Sequence, residues 1–327
     1  MSERLLEIQD LSISFFTSAG EVKAVNGISY SLDRGKVLGI VGESGSGKSV
    51  SVNALMQMIE SPGKIKDGSI CFDDKDLLAL NHKQMRKIRG KDIGMIFQDP
   101  MTSLNPVYTI GNQLSEGLRL HMGMSRDQAK SHALEMLQLV GVNNPERRMK
   151  QYPHEFSGGM RQRAMIAMTL ACKPKLLIAD EPTTALDVTI QAQILDLMKE
   201  LRTKINSAII LITHDLGIIS DLCDDVIVMY GGKIVERGSI RDIFYRPAHP
   251  YTAGLLRCLP RLDIHDKNVL VPIEGTPVDQ LSLPMGCAFA PRCENCMRIC
   301  LQQQPPPFDY GEGHASACWL HWKELEQ

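Results

Sequence analysis

A phosphate-binding loop is indicated by the run GESGSGKS, which begins at Gly42. Its glycines, Gly42, Gly45 and Gly47, let the backbone turn so that successive N–H groups point inward at phosphate oxygens. Lys48 adds a positive charge that reaches the β- and γ-phosphates, and Ser49 offers a hydroxyl to Mg²⁺. The run therefore predicts that the chain binds a nucleoside triphosphate with its Mg²⁺. The residues expected to contact the nucleotide here are Gly42, Glu43, Ser44, Gly45, Ser46, Gly47, Lys48, Ser49 and Val50.

Two acids end an apolar run further along the chain, in LLIADEP at residues 176–182. A buried strand of this kind delivers both carboxylates at its C-terminal end. Asp180 is expected to hold Mg²⁺, directly or through water, and Glu181 to polarise the attacking water as a general base. Because the run follows a phosphate loop, it predicts triphosphate hydrolysis.

A second anion-binding segment is predicted by FSGGMRQR at residues 156–163. Ser157, Gly158 and Gly159 precede a helix, whose N-terminus presents free N–H groups and a positive dipole end. The segment is too far along the chain to belong to the first loop.

The surrounding pattern predicts the elements that position these residues. The first 36 residues alternate apolar and polar side chains, as an antiparallel β meander does. KVLGIV at 36–41 is a buried strand that leads into the phosphate loop, with a helix from about Lys48. SRDQ at 125–128 is a capping box for a helix that ends at Gly141.

Strands and a hairpin are also predicted in the second half of the chain. The apolar runs KLLIAD at 175–180 and AIILIT at 208–213 predict buried strands with a helix between them. DVIVMYGGKIVERG predicts two strands joined by a Gly-Gly turn. From about Arg246 the sequence becomes proline-rich and irregular, which places a boundary near 240–260 between an α/β core and a loop-rich tail.

Bulk properties exclude several function classes. The 327 residues suffice for one large α/β domain and a smaller appendage. With a net charge of −2, the chain lacks the excess positive charge that is typical of proteins that bind nucleic acid. MSERLLEIQD has no apolar signal-peptide core, and no apolar run approaches the roughly 18–20 residues of a spanning helix. We therefore expect a cytosolic chain.

Taken together, these motifs resemble the ATP-binding-cassette (ABC) ATPases over about residues 5–255. The signature of that family is L-S-G-G-Q, whereas here Phe156 and Met160 replace its first and last residues around an intact Ser-Gly-Gly. The resemblance implies an α/β fold with a mixed sheet, an antiparallel β-subdomain and a helical subdomain at about 100–165. The absence of an N-K-x-D segment argues against a GTPase.

Roles for further residues follow from this resemblance. Gln98 in GMIFQDP matches the glutamine that senses Mg²⁺ and the attacking water, and His214 in LITHD matches the histidine that contacts the γ-phosphate. Asp187 in TALDV matches a loop that runs across a dimer interface. Phe15, rather than Phe16, has the better spacing to stack on adenine. The resemblance also implies a head-to-tail dimer, in which the Ser-Gly-Gly segment of one subunit covers ATP bound to the other.

The tail narrows the resemblance to a subfamily. RPAHPYTAGLLRCLP at 246–260 is similar to a segment of dipeptide, oligopeptide and nickel importer ATPases, most of all their "D"-type subunits. The resemblance implies an ATP-hydrolysing subunit that lies at the cytoplasmic face of the membrane and drives peptide uptake. Its implied partners are a second, different ATPase chain, two membrane-spanning permease subunits and an extracytoplasmic peptide-binding protein, with no nucleic acid. The alternatives are a nickel importer and a non-transport ABC ATPase of DNA repair or translation.

The predicted extension, residues 240–327, holds a cysteine cluster at 287–318. A reducing cytosol disfavours disulfides, so clustered thiolates in a loop-rich segment indicate a soft-metal staple. By resemblance to the importer subunits, Cys287, Cys293, Cys300 and Cys318 bind a [4Fe–4S] cluster, and Cys296 is spare. Zinc is the competing choice, because Cys293 and Cys296 have a zinc-like two-residue gap. Free thiols or a regulatory redox site is the third.

Overall fold

The computed structural model describes residues 4–99, 103–183, 188–205, 207–259 and 272–322. The strands within these ranges, in chain order, are β1 (Arg4–Thr17), β2 (Gly20–Asp33), β3 (Val37–Val41), β4 (Gly63–Phe72), β5 (Lys75–Asp76), β6 (Ile93–Ile96), β7 (Leu176–Asp180), β8 (Ala208–Ile212), β9 (Asp225–Tyr230), β10 (Lys233–Ser239), β11 (Phe308–Asp309) and β12 (Ala315–Ser316). The α-helices are α1 (Lys48–Leu55), α2 (His82–Ile88), α3 (Ile110–Met122), α4 (Arg126–Leu139), α5 (Pro145–Arg148), α6 (Gly158–Leu170), α7 (Val188–Ile205), α8 (Leu216–Leu222), α9 (Ile240–Tyr245), α10 (Pro250–Arg257) and α11 (Arg298–Gln302). None of the helices so described is both long and apolar enough to span a bilayer.

The first of two compact units contains residues 79–212, apart from those not described, and a short piece at 33–36. Strands β6, β7 and β8 lie side by side in parallel, with Ile93 opposite Leu176 and Ile178 opposite Ile210. Every residue of these strands is buried, as expected for a parallel sheet covered on both faces. Asp180 therefore ends a fully buried strand, and Glu181 follows it.

Helices α3, α4 and α6 pack against one another in the same unit. The capping box predicted from SRDQ is present, since Ser125 Oγ accepts from Gln128 N and the Gln128 side chain accepts from Ser125 N. Gly141 follows α4 in the left-handed region with φ 73°, which a residue without Cβ adopts at little cost. Both expectations about this helix are confirmed.

The second unit contains residues 4–32, 37–78 and those described from 213 onward. It has an antiparallel sheet in the order β2-β1-β4-β5, and a mixed sheet in the order β11-β12-β10-β9-β3, in which only β3 and β9 run parallel. Gly231 and Gly232 close the predicted hairpin between β9 and β10 with positive φ angles of 55° and 78°. The meander, the strand before the phosphate loop and the hairpin are thus all found where the sequence places them.

The chain beyond β10 is irregular, and buried polar contacts anchor it. Glu236 on β10 is 0% exposed; its carboxylate accepts from Ala248 N and His249 N, and it lies 2.9 Å from His314 Nε2. Burial lowers the pKa of His249 to about 3, so this imidazole is neutral and its Nδ1 accepts from Tyr251 N. Because few long elements lie in this segment, such contacts carry much of its order. The division of the chain into a 5–255 ATPase domain and a 240–327 extension stays a prediction.

Candidate functional site

The phosphate loop has the strained backbone that its glycines allow. Gly42, Gly45 and Gly47 adopt φ angles of 148°, 77° and 98°. A Cβ on Gly42 would lie 2.2 Å from the carbonyl oxygen of Met229, and one on Gly47 would lie 2.3 Å from that of Ala24. Neither position can carry a side chain, so the loop and the start of α1 are held close to β9 and β2.

The groups presented by this loop suit an anion. The Lys48 side chain is buried, and its Nζ donates to the carbonyls of Gly42 at 2.7 Å and Glu43 at 2.9 Å. Ser46 Oγ is buried without a hydrogen-bond partner in the described part of the chain. Ser49 and Val50 follow in the first turn of α1, whose N-terminus points its dipole at the loop. A buried cation, an unsatisfied hydroxyl and a helix N-terminus together fit a triphosphate.

The two carboxylates lie in the first unit, and that of Glu181 contacts the predicted glutamine. Asp180 is the last residue of β7 and is 7% exposed. Glu181 follows with a positive φ of 46°, and its N–H donates to Ile212 O at 2.9 Å. Gln98 Nε2 donates to Glu181 Oε2 at 2.9 Å. An uncommon backbone angle and an amide donor thus both set the direction of the Glu181 carboxylate, as a general base requires.

The signature segment is placed by packing as well as by its helix. Ser157 caps α6, with Oγ accepting from Met160 N. A Cβ on Gly159 would lie 2.7 Å from Ile190 Cγ2 on α7, whereas one on Gly158 would meet nothing within 4 Å. Gly159 is therefore required by the fold, and Gly158 is open at the surface.

The departure from the family signature at Phe156 also has a packing explanation. Phe156 is 3% exposed, and the guanidinium of Arg148 lies 5.8 Å from the centre of its ring. The family's leucine and this phenylalanine are both apolar, so the substitution changes the core rather than the surface that could meet phosphate.

Gln162 is a functional candidate that sequence reasoning missed. It is 1% exposed on α6, and its Nε2 donates to Pro182 O at 2.7 Å. It therefore connects the signature helix to the residue after Glu181. The available signal was a polar amide shortly before the apolar run Ala164, Met165 and Ile166, which is buried.

The remaining predicted residues are placed as follows. Phe15 is half-buried against Gly63, and Phe16 is 45% exposed with Lys64 Nζ 5.8 Å from its ring centre. His214 is exposed and precedes α8. Asp187 lies outside the described residues. The roles assigned to all of these side chains stay predictions.

The four predicted cluster ligands lie around one cavity. Cys287, Cys293, Cys300 and Cys318 line it, while Cys296 does not and is exposed. Burial raises the pKa of the Cys287 thiol to about 11 and that of Cys318 to about 12. In the described ranges no three His, Cys, Asp or Glu side chains are grouped closely enough to hold one metal ion.

Comparison with known proteins decides the family. A family model described as "ABC transporter" matches residues 25–184, and one described as "Oligopeptide/dipeptide transporter, C-terminal region" matches residues 235–300. The oligopeptide transport ATP-binding protein OppD of Bacillus subtilis is 55% identical over 97% of this chain and 89% of its own length. The dipeptide transport ATP-binding protein DppD of the same organism is 53% identical, covering 99% and 97%. The chain belongs to the ABC transporter ATPase family.

Solved structures agree with this membership of the ABC family. The dimeric ATP-binding cassette MJ0796, in a post-hydrolysis state with ADP and Pi, is 26% identical with a TM-score of 0.65, and covers 72% of this chain and 99% of its own. The ABC transporter component cbiO1 of Clostridium perfringens is 29% identical with a TM-score of 0.63, and covers 75% and 92%. The predicted fold class and the ATPase assignment are thereby confirmed.

Proposed function

We propose that the chain is the ATP-hydrolysing subunit of an ABC importer that takes up di- or oligopeptides. One observation carries this proposal: the similarity to OppD and DppD covers nearly the whole chain, including the extension that matches the oligopeptide/dipeptide transporter region. An ABC ATPase of another class would share the cassette alone. Nickel uptake, the alternative from sequence, has no observation in its favour here.

The proposed chemistry assigns a role in ATP hydrolysis to each of the motif residues. The N–H groups of the phosphate loop and Lys48 hold the β- and γ-phosphates of ATP. Ser49, Asp180 and Gln98 are the proposed Mg²⁺ ligands, and the ion would neutralise charge that develops on the phosphates. Glu181, already oriented by Gln98 at 2.9 Å, takes a proton from the attacking water.

The ATP site is proposed to be completed by a second subunit. His214 contacts the γ-phosphate from its own chain, and Ser157, Gly158 and Gly159 cover ATP bound to the partner. Gly158 supports this arrangement, because it is exposed with open space where a Cβ would lie. The dimeric MJ0796 cassette offers a parallel. We propose that the partner is a different ATPase chain.

The assembly is proposed to include membrane subunits. Two membrane-spanning permease subunits hold the ATPases at the cytoplasmic face of the membrane, and an extracytoplasmic peptide-binding protein delivers the cargo. Supporting this, the curated relatives are named as ATP-binding proteins of oligopeptide and dipeptide transport. Nucleic acid has no place in this assembly.

The cysteine-lined segment, Cys287–Cys318, is proposed to bind a [4Fe–4S] cluster as a structural staple. Four thiols around one cavity supply the number of thiolate ligands that such a cluster takes. The bound group would replace thiol protons by covalent cross-links between Cys287, Cys293, Cys300 and Cys318. Cys296 lies outside the cavity and would contribute nothing.

Purification of the native complex tests the transport proposal. A tag on this chain should recover a second ATPase and two permease subunits, and the associated binding protein should carry peptide. Recovery of nickel as the bound ligand would replace the cargo but keep the importer. Recovery of the chain alone, or with DNA or ribosomes, would refute it.

A further inference from the structure

Arg292, in the C-terminal extension, makes a set of contacts that sequence motifs did not predict. Its side chain is 5% exposed, and its five N–H groups have five acceptors. Nη1 and Nη2 donate to the two carboxylate oxygens of Glu43 at 2.6 and 3.0 Å. The remaining donors contact Tyr230 Oη at 3.4 Å, Ile273 O at 3.2 Å and Glu274 O at 2.9 Å. Arg292 is therefore committed to one orientation, with Glu43 bound bidentately.

Two more residues of the extension contact the phosphate loop. Glu43 N donates to the hydroxyl of Tyr251 at 2.8 Å, and Tyr251 is fully buried. Gln280 Nε2 donates to Gly45 O. The backbone of the phosphate loop is thus held by the extension at Glu43 and at Gly45.

A carboxylate in this loop poses an electrostatic problem. ATP carries several negative charges, and a like charge within a few ångströms disfavours binding. Glu43 is 26% exposed, so water screens it only in part. The bidentate guanidinium removes the problem, because it neutralises the charge and fixes the carboxylate on the extension.

We propose that Arg292 is a positioning residue for ATP, which neutralises Glu43 and holds the phosphate loop in its binding conformation. The extension is then part of the nucleotide site and not only an appendage. This inference rests on the proposed ATPase function, and deepens it by making nucleotide affinity depend on a residue 249 positions from its partner. By reciprocity, bound nucleotide also stabilises the extension.

Removal of both charges by double substitution separates this role from a structural one. The full-length chain is titrated with the non-hydrolysable analogue AMP-PNP and Mg²⁺ by calorimetry. Arg292→Met should weaken binding about tenfold or more, since it leaves Glu43 charged and unpaired beside the phosphates. Glu43→Gln alone should weaken binding less than Arg292→Met does, because no carboxylate then needs neutralising.

The double variant Glu43→Gln with Arg292→Met should bind more tightly than Arg292→Met and to within about threefold of Glu43→Gln. Arg292→Lys should be intermediate, because an ammonium cannot bind both oxygens in the same plane. Raising salt to about 0.5 M should shrink the defect of Arg292→Met. Arg257→Met is the matched control, since Arg257 is an exposed arginine of the extension whose ion pair, with Glu294, is also exposed.

The outcomes are distinct. Wild-type affinity in Arg292→Met, or a double variant as weak as Arg292→Met, overturns the positioning role and leaves the ATPase assignment intact. A wild-type chain that does not bind the analogue overturns both. Circular dichroism of each variant shows whether the fold is kept, and recovery in the double variant excludes unfolding as the cause.

Discussion

The nucleotide motifs and the cysteine-lined segment are built in opposite ways. The phosphate loop lies between β3 and α1, and its shape depends on Gly42 and Gly47, where a Cβ would clash with neighbouring backbone. The cysteine-lined segment has only short elements, and its chemistry comes from four side chains around a cavity. Regular elements position the first, whereas long-range contacts and, on our proposal, a bound cluster position the second.

This difference separates chemistry from folding. A substitution in a motif that a strand and a helix support should remove activity and leave the fold intact. A substitution in a segment with few elements should lose structure together with its ligand. Arg292 connects the two regions, because it lies in the irregular C-terminal extension and its side chain binds Glu43 of the phosphate loop.

The largest effect is expected from Glu181→Gln, and it should fall on the rate of ATP hydrolysis. The amide keeps the shape and the contact with Gln98 but cannot accept a proton, so hydrolysis by the assembled complex should fall by about 10³-fold. ATP binding should persist, whereas Lys48→Ala should weaken binding itself. Phosphate release and nucleotide titration measure the two, with the exposed Glu146→Gln as control. Near-normal hydrolysis in Glu181→Gln would remove the general-base assignment.

Cys300→Ser should test the opposite side, where ligand and structure are lost together. On the cluster proposal, anaerobically purified wild-type protein is brown with about four irons per chain, and the variant is colourless. The variant should also unfold at a clearly lower temperature, because loss of a structural metal site is among the most destabilising single changes.

Cys296→Ser is the matched control, because its thiol is exposed and outside the cavity. It should keep both colour and stability. Colourless wild-type protein with one zinc per chain would replace the cluster but keep the staple. Metal-free wild-type protein with unchanged stability in Cys300→Ser would end both proposals.

The two adjacent glycines of the signature segment should show smaller effects of different kinds, one on stability and one on hydrolysis. Gly159→Ala places a Cβ 2.7 Å from Ile190 Cγ2 and should cost about 1–3 kcal/mol of stability. Gly158→Ala meets nothing within 4 Å and should leave stability nearly unchanged. If Gly158 covers nucleotide in a dimer, its variant should instead lower hydrolysis by the complex. Equal loss of stability in both variants contradicts this division.

The smallest effect expected is from Gln162→Leu. It removes the donor to Pro182 O from a buried site and should cost about 1 kcal/mol of stability. The exposed Gln138→Leu on α4 is the comparison, with no change expected beyond its own surface. Chemical denaturation resolves the difference, and indistinguishable midpoints would show that the Gln162 contact carries no net stability.

Sequence reasoning was most successful where one local pattern decides the structure. The strand and helix around Lys48 and the cap at Ser125 follow from neighbouring residues. The approach of Gln98 to Glu181 also agrees with their assigned roles, because β6 and β7 are adjacent parallel strands.

The rest depends on contacts that no local pattern encodes. Gly159 matches a signature, but its packing against Ile190 could not be read from the motif. Arg292 and Glu43 share no periodicity and are 249 positions apart, so only the folded chain brings them together. The cysteines were selected by resemblance, and their shared cavity depends on backbone that has little regular structure.

Peptide-dependent ATP hydrolysis by the complex in proteoliposomes tests the central claim most directly. The account predicts slow hydrolysis by this chain alone, strong stimulation by its partner ATPase and permeases, and a further rise when peptide-loaded binding protein is added. The Glu181→Gln complex should lose that peptide-dependent rate. Full activity in a demonstrably monomeric chain, unaffected by partners or peptide, would contradict the account.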